Sequence, residues 1–220
     1  IQARRNRYVG WVPEDALSEG ERTPTHFISV PRTFLYPGAD MKLPRSGYRS
    51  LGSGVVVTDR AETRGTHYAI LDSGEAVIAN HLVAAGNHAA DYVSIAETLL
   101  STPYLWGGST AFGIDCSGLV SLAMQMAGMD MLRDSDMQAA TIGEPVAIRP
   151  DWGDLKRGDL LFWRGHVAIA QGEIGGQQHM LHANGHTMDV ASESVAEAVL
   201  RIEHLYEKPI GVRRPARLGA

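Results

Sequence analysis

The sequence predicts an α+β chain in two unequal parts, a small all-β part followed by a larger one in which helices lead into an antiparallel sheet. Three observations lead there. Short β-branched runs separated by Gly, Pro and Asp-Ser-Gly breakers fill the first 90 residues. The apolar period changes to a helical one from Asp91. Strand-like alternation with tight Gly turns returns after Arg157.

The early runs are Phe27-Ile28-Ser29-Val30, Gly54-Val55-Val56-Val57-Thr58, His67-Tyr68-Ala69-Ile70-Leu71 and Glu75-Ala76-Val77-Ile78. Their close spacing predicts a small antiparallel barrel. A weak echo, Gly10-Trp11-Val12-Pro13 leading to Leu17 and Ala76-Val77-Ile78-Ala79 leading to Val83, reads either as two copies of one unit or as chance. Gly86-Asn87-His88 reads as the linker. Tyr92, Ile95, Ala96, Leu99 and Leu100 then fall on one helical stripe that stops before Pro103. Leu119, Val120, Ala123, Met124 and Ala127 predict a helix over 115–127, stopped by Gly128. A short helix is predicted over 134–141, capped by Asp134 or Ser135. Next come the strands 159–163, 166–170 and 179–183 as a meander, and a further strand over 198–202. The tail from Gly211 carries too little pattern to place.

Composition narrows the function classes. With 220 residues, 44% hydrophobic and 20% charged, the chain has ample apolar material for a core, which argues against global disorder. The net charge of −5 offers no nucleic-acid footprint, and it is local: residues 1–90 carry +1 and residues 91–220 carry −6. No run approaches the ~20 apolar residues of a membrane-spanning helix, and the first residues lack the apolar core of a signal peptide. A single cysteine, Cys116, can make neither an internal disulfide nor a Cys-x-x-Cys pair, so it is either a buried small hydrophobe or a nucleophile.

Its position gives the second reading content. Cys116 starts the predicted helix, where free backbone N–H groups and the positive helix end are expected to lower a thiol pKa. A thiolate needs an imidazole partner and a group that orients it. His166 and His182 lie eight residues either side of Ile174, so a hairpin turning over 172–176 would set them directly opposite on neighbouring strands, with His179 pointing away. His182 would then fix the tautomer of His166. The bland alternative is a packed core cysteine. A zinc site from His179, His182 and His186 lacks a Cys partner or an acidic ligand at motif spacing, so no metal and no cofactor is expected.

Four blocks carry a family resemblance: Thr102-Pro103-Tyr104-Leu105-Trp106-Gly107-Gly108; Asp115-Cys116-Ser117-Gly118-Leu119-Val120; Arg157-Gly158-Asp159-Leu160-Leu161-Phe162-Trp163; and His166-Val167-Ala168-Ile169. In that order they resemble the NlpC family of bacterial cell-wall cysteine peptidases, over roughly residues 92–215. The resemblance implies a papain-like fold with the Cys helix on an antiparallel sheet. It also implies Cys116 as nucleophile, His166 as general base and His182 as the third polar residue. Tyr104 matches an oxyanion or substrate contact. Asp115 and Ser117 match a pocket for the free ammonium of an N-terminal L-Ala, with Glu75 a weaker second acid. The implied reaction is hydrolysis of the γ-D-glutamyl–diaminopimelate bond of peptidoglycan stem peptides, here free muropeptides in a recycling role. That role points to the cytoplasm, or to the periplasm or exterior if a leader was removed. An amidase or acyltransferase of the same fold, and a silent wall-binding protein, are the competing readings. Residues 1–88 more loosely resemble bacterial SH3-like modules. On that basis residues 1–20 read as the remnant or C-terminal part of a first module, 21–88 as one SH3-like β-barrel and 89–220 as the papain-like cysteine peptidase domain.

Overall fold

The computed structural model describes residues 1–3, 5–17 and 20–216, so part of the expected 1–20 segment and the last four residues lie outside the described residues. It divides into two compact units, Trp11–His88 on one side and Ile1–Gly10 with Ala89–Ala220 on the other. The 1–20 segment is thereby divided at Gly10.

In the smaller unit the described residues form only strands and 3-10 turns. The strands are β1 (His26–Ile28), β2 (Arg32–Leu35), β3 (Gly47–Ser50), β4 (Gly54–Val55), β5 (Val57–Thr63), β6 (Thr66–Leu71), β7 (Ala76–Ile78) and β8 (Leu82–Ala84). They pair antiparallel as β4-β1-β8, β2-β3 and β5-β6-β7. Alternate residues point inward, so Ile28, Leu35, Val55, Ala69, Leu71 and Val77 meet in one buried cluster. The repeated run extends to local structure. Pro13 and Ile78 each precede a three-residue 3-10 turn, Glu14–Ala16 and Ala79–His81, closed by the N–H of Leu17 and Leu82. The echo aligns best with Leu17 on Leu82, one residue from the spacing the sequence predicted. Ala76, which this alignment sets against Trp11, is fully buried whereas Trp11 is fully exposed, so only the later of the two runs is packed.

The larger unit contains α1 (Tyr92–Glu97), β9 (Ser109–Thr110), β10 (Gly113–Ile114), α2 (Cys116–Met126), α3 (Ser135–Thr141), β11 (Glu144–Val146), β12 (Leu160–Trp163), β13 (His166–Ile174), β14 (Gln177–Asn184), β15 (Asp189–Ser194), α4 (Val195–Leu205) and β16 (Gly211–Arg214). Six strands form one antiparallel sheet in the order β11-β16-β12-β13-β14-β15. Its centre is buried on both faces. Leu160, Phe162, Val167, Ile169 and Leu181 are inaccessible on one, while Leu161, Trp163, Ala168, Ala170 and Met180 pack with Val195, Ala198, Val199 and Ile202 of α4 on the other. Helix α2 packs on β13 and β14, and ten of its eleven residues are buried.

Two expectations are corrected here. The strand predicted over 198–202 is the middle of α4. Val195, Ala198, Val199 and Ile202 recur at i, i+3, i+4 and i+7, and this helical stripe outweighs the local β propensity of Val-Leu-Arg-Ile. His166 and His182 are not directly opposite either. The hairpin turns at Gly175-Gly176, and the pairing Ile174↔Gln177 becomes Ile169↔Leu181 after a bulge between Ala170 and Gly172. Because facing residues share a side, the outer register alone would put the two histidines on opposite faces; the one extra residue restores a common face. They meet as a diagonal pair on the face covered by α4.

Candidate active site

The site begins at the first turn of α2. Asp115 is its N-cap and accepts the N–H of Gly118 on Oδ1 at 2.7 Å, a cap that contributes about 1 kcal/mol. Gly118 is required by close approach: a Cβ there would stand 2.3 Å from the carbonyl oxygen of Gly108. Asp115 is also clamped from the loop before α3. Arg133 donates to Oδ1 at 3.0 Å and to Oδ2 at 2.8 Å, and further to Ser117 Oγ at 2.8 Å and Gly108 O at 3.1 Å. Gly107 N–H reaches Oδ2 at 2.9 Å and Ser117 Oγ donates to Oδ1 at 3.3 Å. Burial opposes the charge of Arg133, but the Asp115 hydrogen bonds and charge outweigh it and hold the guanidinium above its ordinary pKa. Gln138 of α3, fully buried, adds hydrogen bonds to Ser117 O at 3.1 Å and Ser121 Oγ at 3.0 Å.

This brace fixes Cys116, which is 6% exposed. Its sulfur lies 3.9 Å from the carbonyl oxygen of Gly165, in the turn between β12 and β13. The N–H groups of Val167, Ser117 and Cys116 itself also act on it, so the sulfur sits against the backbone on both sides of His166. The expected lowering of the thiol pKa is not what prevails. Burial pushes the thiol up, Asp115 adds to the push, and the three N–H groups offset only part of it.

His166 follows that turn, half-buried, with the Trp163 ring centroid 5.5 Å away. Its Nε2 meets His182 Nδ1 at 2.9 Å. Burial, then the neighbouring His182 and the Arg201 guanidinium, push its pKa down to about 3, with Glu193 opposing. At neutral pH the resting site therefore holds a neutral imidazole and a protonated thiol. His182 is inaccessible to solvent. Its Nε2 stands 2.6 Å from Glu193 Oε2 on β15, and Arg201 of α4 donates to the same oxygen at 2.6 Å. The hydrogen bond from His182 above all, with Arg201 adding to it, holds the Glu193 carboxyl down at about 2, against burial.

Tyr104 bridges to Ile114, directly before the N-cap. Burial raises its phenol pKa, and the nearby Cys116 and Asp115 add to this, so it stays a hydrogen-bond donor beside Cys116. Glu75 belongs to the smaller unit, where it accepts from Ser46 at 2.5 Å and Ser73 at 3.0 Å. His179 contacts Ser192 Oγ at 3.4 Å and takes no part in the histidine pair. Sequence reasoning missed Arg133, Gln138, Glu193 and Arg201. The last two had no signal once 198–202 was read as a strand, because only a helix there brings Arg201 over β15.

The NlpC/P60 family model matches residues 101–206, a span that contains all three residues of the cysteine and histidine cluster. Residues 101–206 are an NlpC/P60 family domain. A dipeptidyl-peptidase 6 from Lysinibacillus sphaericus is 39% identical over 97 residues, covering 44% of this chain and 34% of that protein. A gamma-D-glutamyl-L-lysine dipeptidyl-peptidase from Bacillus subtilis is 34% identical over 132 residues, covering 57% of this chain and 40% of that one. The chain thus spans well under half the length of these relatives. The crystal structure of an NlpC/P60 family protein from Bacillus cereus superposes with a TM-score of 0.64 at 24% identity, over 87% of this chain and 63% of the other. That likeness establishes a mixed α/β fold shared with NlpC/P60 structures.

Proposed function

We propose that the chain is a cysteine peptidase that hydrolyses the γ-D-glutamyl–diamino acid bond of peptidoglycan stem peptides. The observation that carries this reading is the buried Cys116 at a helix start, held against the turn that delivers His166, with His182 hydrogen-bonded behind it. The substrate class is supported by the name of the Bacillus subtilis relative, a gamma-D-glutamyl-L-lysine dipeptidyl-peptidase, and by the family domain.

In the proposed reaction His166 takes the Cys116 proton as the sulfur attacks the glutamyl carbonyl carbon. The Cys116 N–H and the Tyr104 hydroxyl face the developing oxyanion. Collapse breaks the C–N bond, the leaving amine takes the proton from His166, and a thioester remains. Water then gives His166 a proton as it attacks the thioester, and the sulfur leaves as the thiol once His166 returns that proton. Free muropeptides with N-terminal L-Ala, and a recycling role in the cytoplasm, are the finer form of the proposal. The smaller unit is proposed to be SH3-like.

Incubation with L-Ala-γ-D-Glu-diaminopimelate and its N-acetylated form, read by mass spectrometry, tests this. Release of L-Ala-D-Glu, abolished in Cys116→Ala, is expected. Cleavage surviving in Cys116→Ala would overturn the assignment. Equal cleavage of both peptides would assign Asp115 to the structural brace alone, since five donors already converge on its carboxylate.

A further inference from the structure

We infer that Glu193, held by Arg201, is a positioning residue that sets the tautomers of both His182 and His166 and so leaves one defined nitrogen of His166 as the base. This rests on the assignment of Cys116 and His166 proposed above. Four groups, one each from β13, β14, β15 and α4, stand in a line along which every proton can be placed.

Glu193 Oε2 lies 2.6 Å from His182 Nε2 and 2.6 Å from an Arg201 nitrogen. An ionised carboxylate only accepts hydrogen bonds, and the hydrogen bond from His182 keeps Glu193 ionised across the neutral range. His182 must therefore carry its proton on Nε2. In a neutral imidazole this makes Nδ1 an acceptor. Among the described residues the group across from Nδ1 is His166 Nε2 at 2.9 Å, which must then be the N–H of that pair. A neutral His166 protonated at Nε2 has its lone pair at Nδ1, and among the described residues Nδ1 takes no hydrogen bond. The reverse arrangement would aim a bare nitrogen of His182 at a carboxylate 2.6 Å away, so it is excluded by repulsion.

Arg201 has a second part in this. It balances the Glu193 charge, so the carboxylate orients His182 without drawing a resident proton onto the imidazole pair. When His166 takes the thiol proton, the positive charge is shared along the line towards Glu193, which stabilises the imidazolium as it forms. The rings beside His166 are Trp163 and His182, with Glu193 and Arg201 beyond, while Cys116 lies against the backbone of the adjoining Gly165 and Val167.

The test reads tautomers directly. Protein labelled with 15N-histidine is examined at pH 8 by long-range 1H–15N correlation, with the two signals assigned through His166→Gln and His182→Gln. Both rings are expected as Nε2–H tautomers in the unsubstituted chain. A His182 found as Nδ1–H overturns the inference outright. Glu193→Leu is expected to abolish the single tautomer and to slow alkylation of Cys116 by iodoacetamide by about a hundredfold, less than the roughly 10⁴-fold loss of turnover when a triad imidazole adopts the wrong tautomer, because alkylation needs only the thiol proton removed. Unchanged tautomers and an unchanged alkylation rate in a folded Glu193→Leu chain would equally overturn it. Glu193→Gln covers the case in which the leucine variant does not fold: its amide oxygen can replace Oε2 between Arg201 and His182, so it is expected to restore the Nε2–H form. Neither readout involves a peptide substrate. Failure to cleave stem peptides would remove the peptidase reading while leaving the tautomer result standing, and an alkylation rate insensitive to His166→Gln would remove the Cys116–His166 assignment itself.

Discussion

Replacing Arg133 by methionine isolates the buried clamp on the first turn of α2. The Arg133 and Asp115 side chains are 8% and 12% exposed, and the substitution deletes four hydrogen bonds, two of them to the Asp115 carboxylate. Removing one partner of a buried ion pair costs about 3–5 kcal/mol because the other charge stays desolvated. Here the N–H groups of Gly107 and Gly118 and the Ser117 hydroxyl still serve the carboxylate. The expected cost is therefore the lower end, about 3 kcal/mol. With a urea dependence of about 1–3 kcal/mol per molar, the unfolding midpoint should fall by about 1–3 M. The sharper expectation concerns a second change. Asp115→Asn keeps an oxygen for the Gly118 N–H but removes the orphaned charge, so Arg133→Met with Asp115→Asn should be more stable than Arg133→Met alone by about 1–2 kcal/mol. Urea unfolding followed by far-ultraviolet circular dichroism measures both. A cost below about 1 kcal/mol for Arg133→Met, or a further loss on adding Asp115→Asn, would refute the view that the pair is a charge-compensated brace.

Two other outcomes follow from the same geometry. His166 is lowered from 6.5 to about 3 and Glu193 from 4.5 to about 2, so the unfolded chain binds each proton first. Their stabilisation is complete above the unfolded values and is lost as pH falls through 6.5 towards 3 for the histidine and through 4.5 towards 2 for the carboxylate, at a slope of at most about 1.4 kcal/mol per pH unit for each proton. The urea midpoint should drop between pH 7 and pH 5, and drop less in His166→Phe; equal drops in the two proteins would contradict the burial of a neutral imidazole. Gly118→Ala should destabilise by about 1–3 kcal/mol although alanine favours helices, because its Cβ would meet Gly108 O at 2.3 Å and Asp115 Oδ1 at 2.9 Å. A midpoint equal to or above that of the unsubstituted chain would show that the loop can give way.

What could be read in the sequence was what depends on near neighbours. The stripe over 115–127 with Asp115 before it specified α2 and its cap, and the apolar runs around two tight turns specified β12, β13 and β14. The parts that escaped depend on distant partners. Gly211–Arg214 lies inside the sheet between β11 and β12, yet its Arg213 and Arg214 are half-buried, so no alternation marks it. Arg133 sits outside any periodic segment and acquires its role only through a carboxylate 18 residues away.

The histidine pair shows how a right local inference can rest on a wrong register. Equal distance from Ile174 suggested that His166 and His182 face one another, but a regular hairpin turning at Gly175-Gly176 would separate them to opposite faces. The extra residue at the bulge repairs the parity, and the surrounding contacts hold it there. Gln171 accepts from Ser192 Oγ at 2.5 Å on its side-chain oxygen and donates to Glu97 at 3.2 Å, while Arg157 binds its carbonyl at 3.0 Å and both oxygens of Glu97. The face chosen is the one that α4 covers. Only there can the outer nitrogen of His182 reach Glu193, which Arg201 holds from α4, so the bulge, the helix and the order of the imidazoles are consequences of one another rather than separate features of the site.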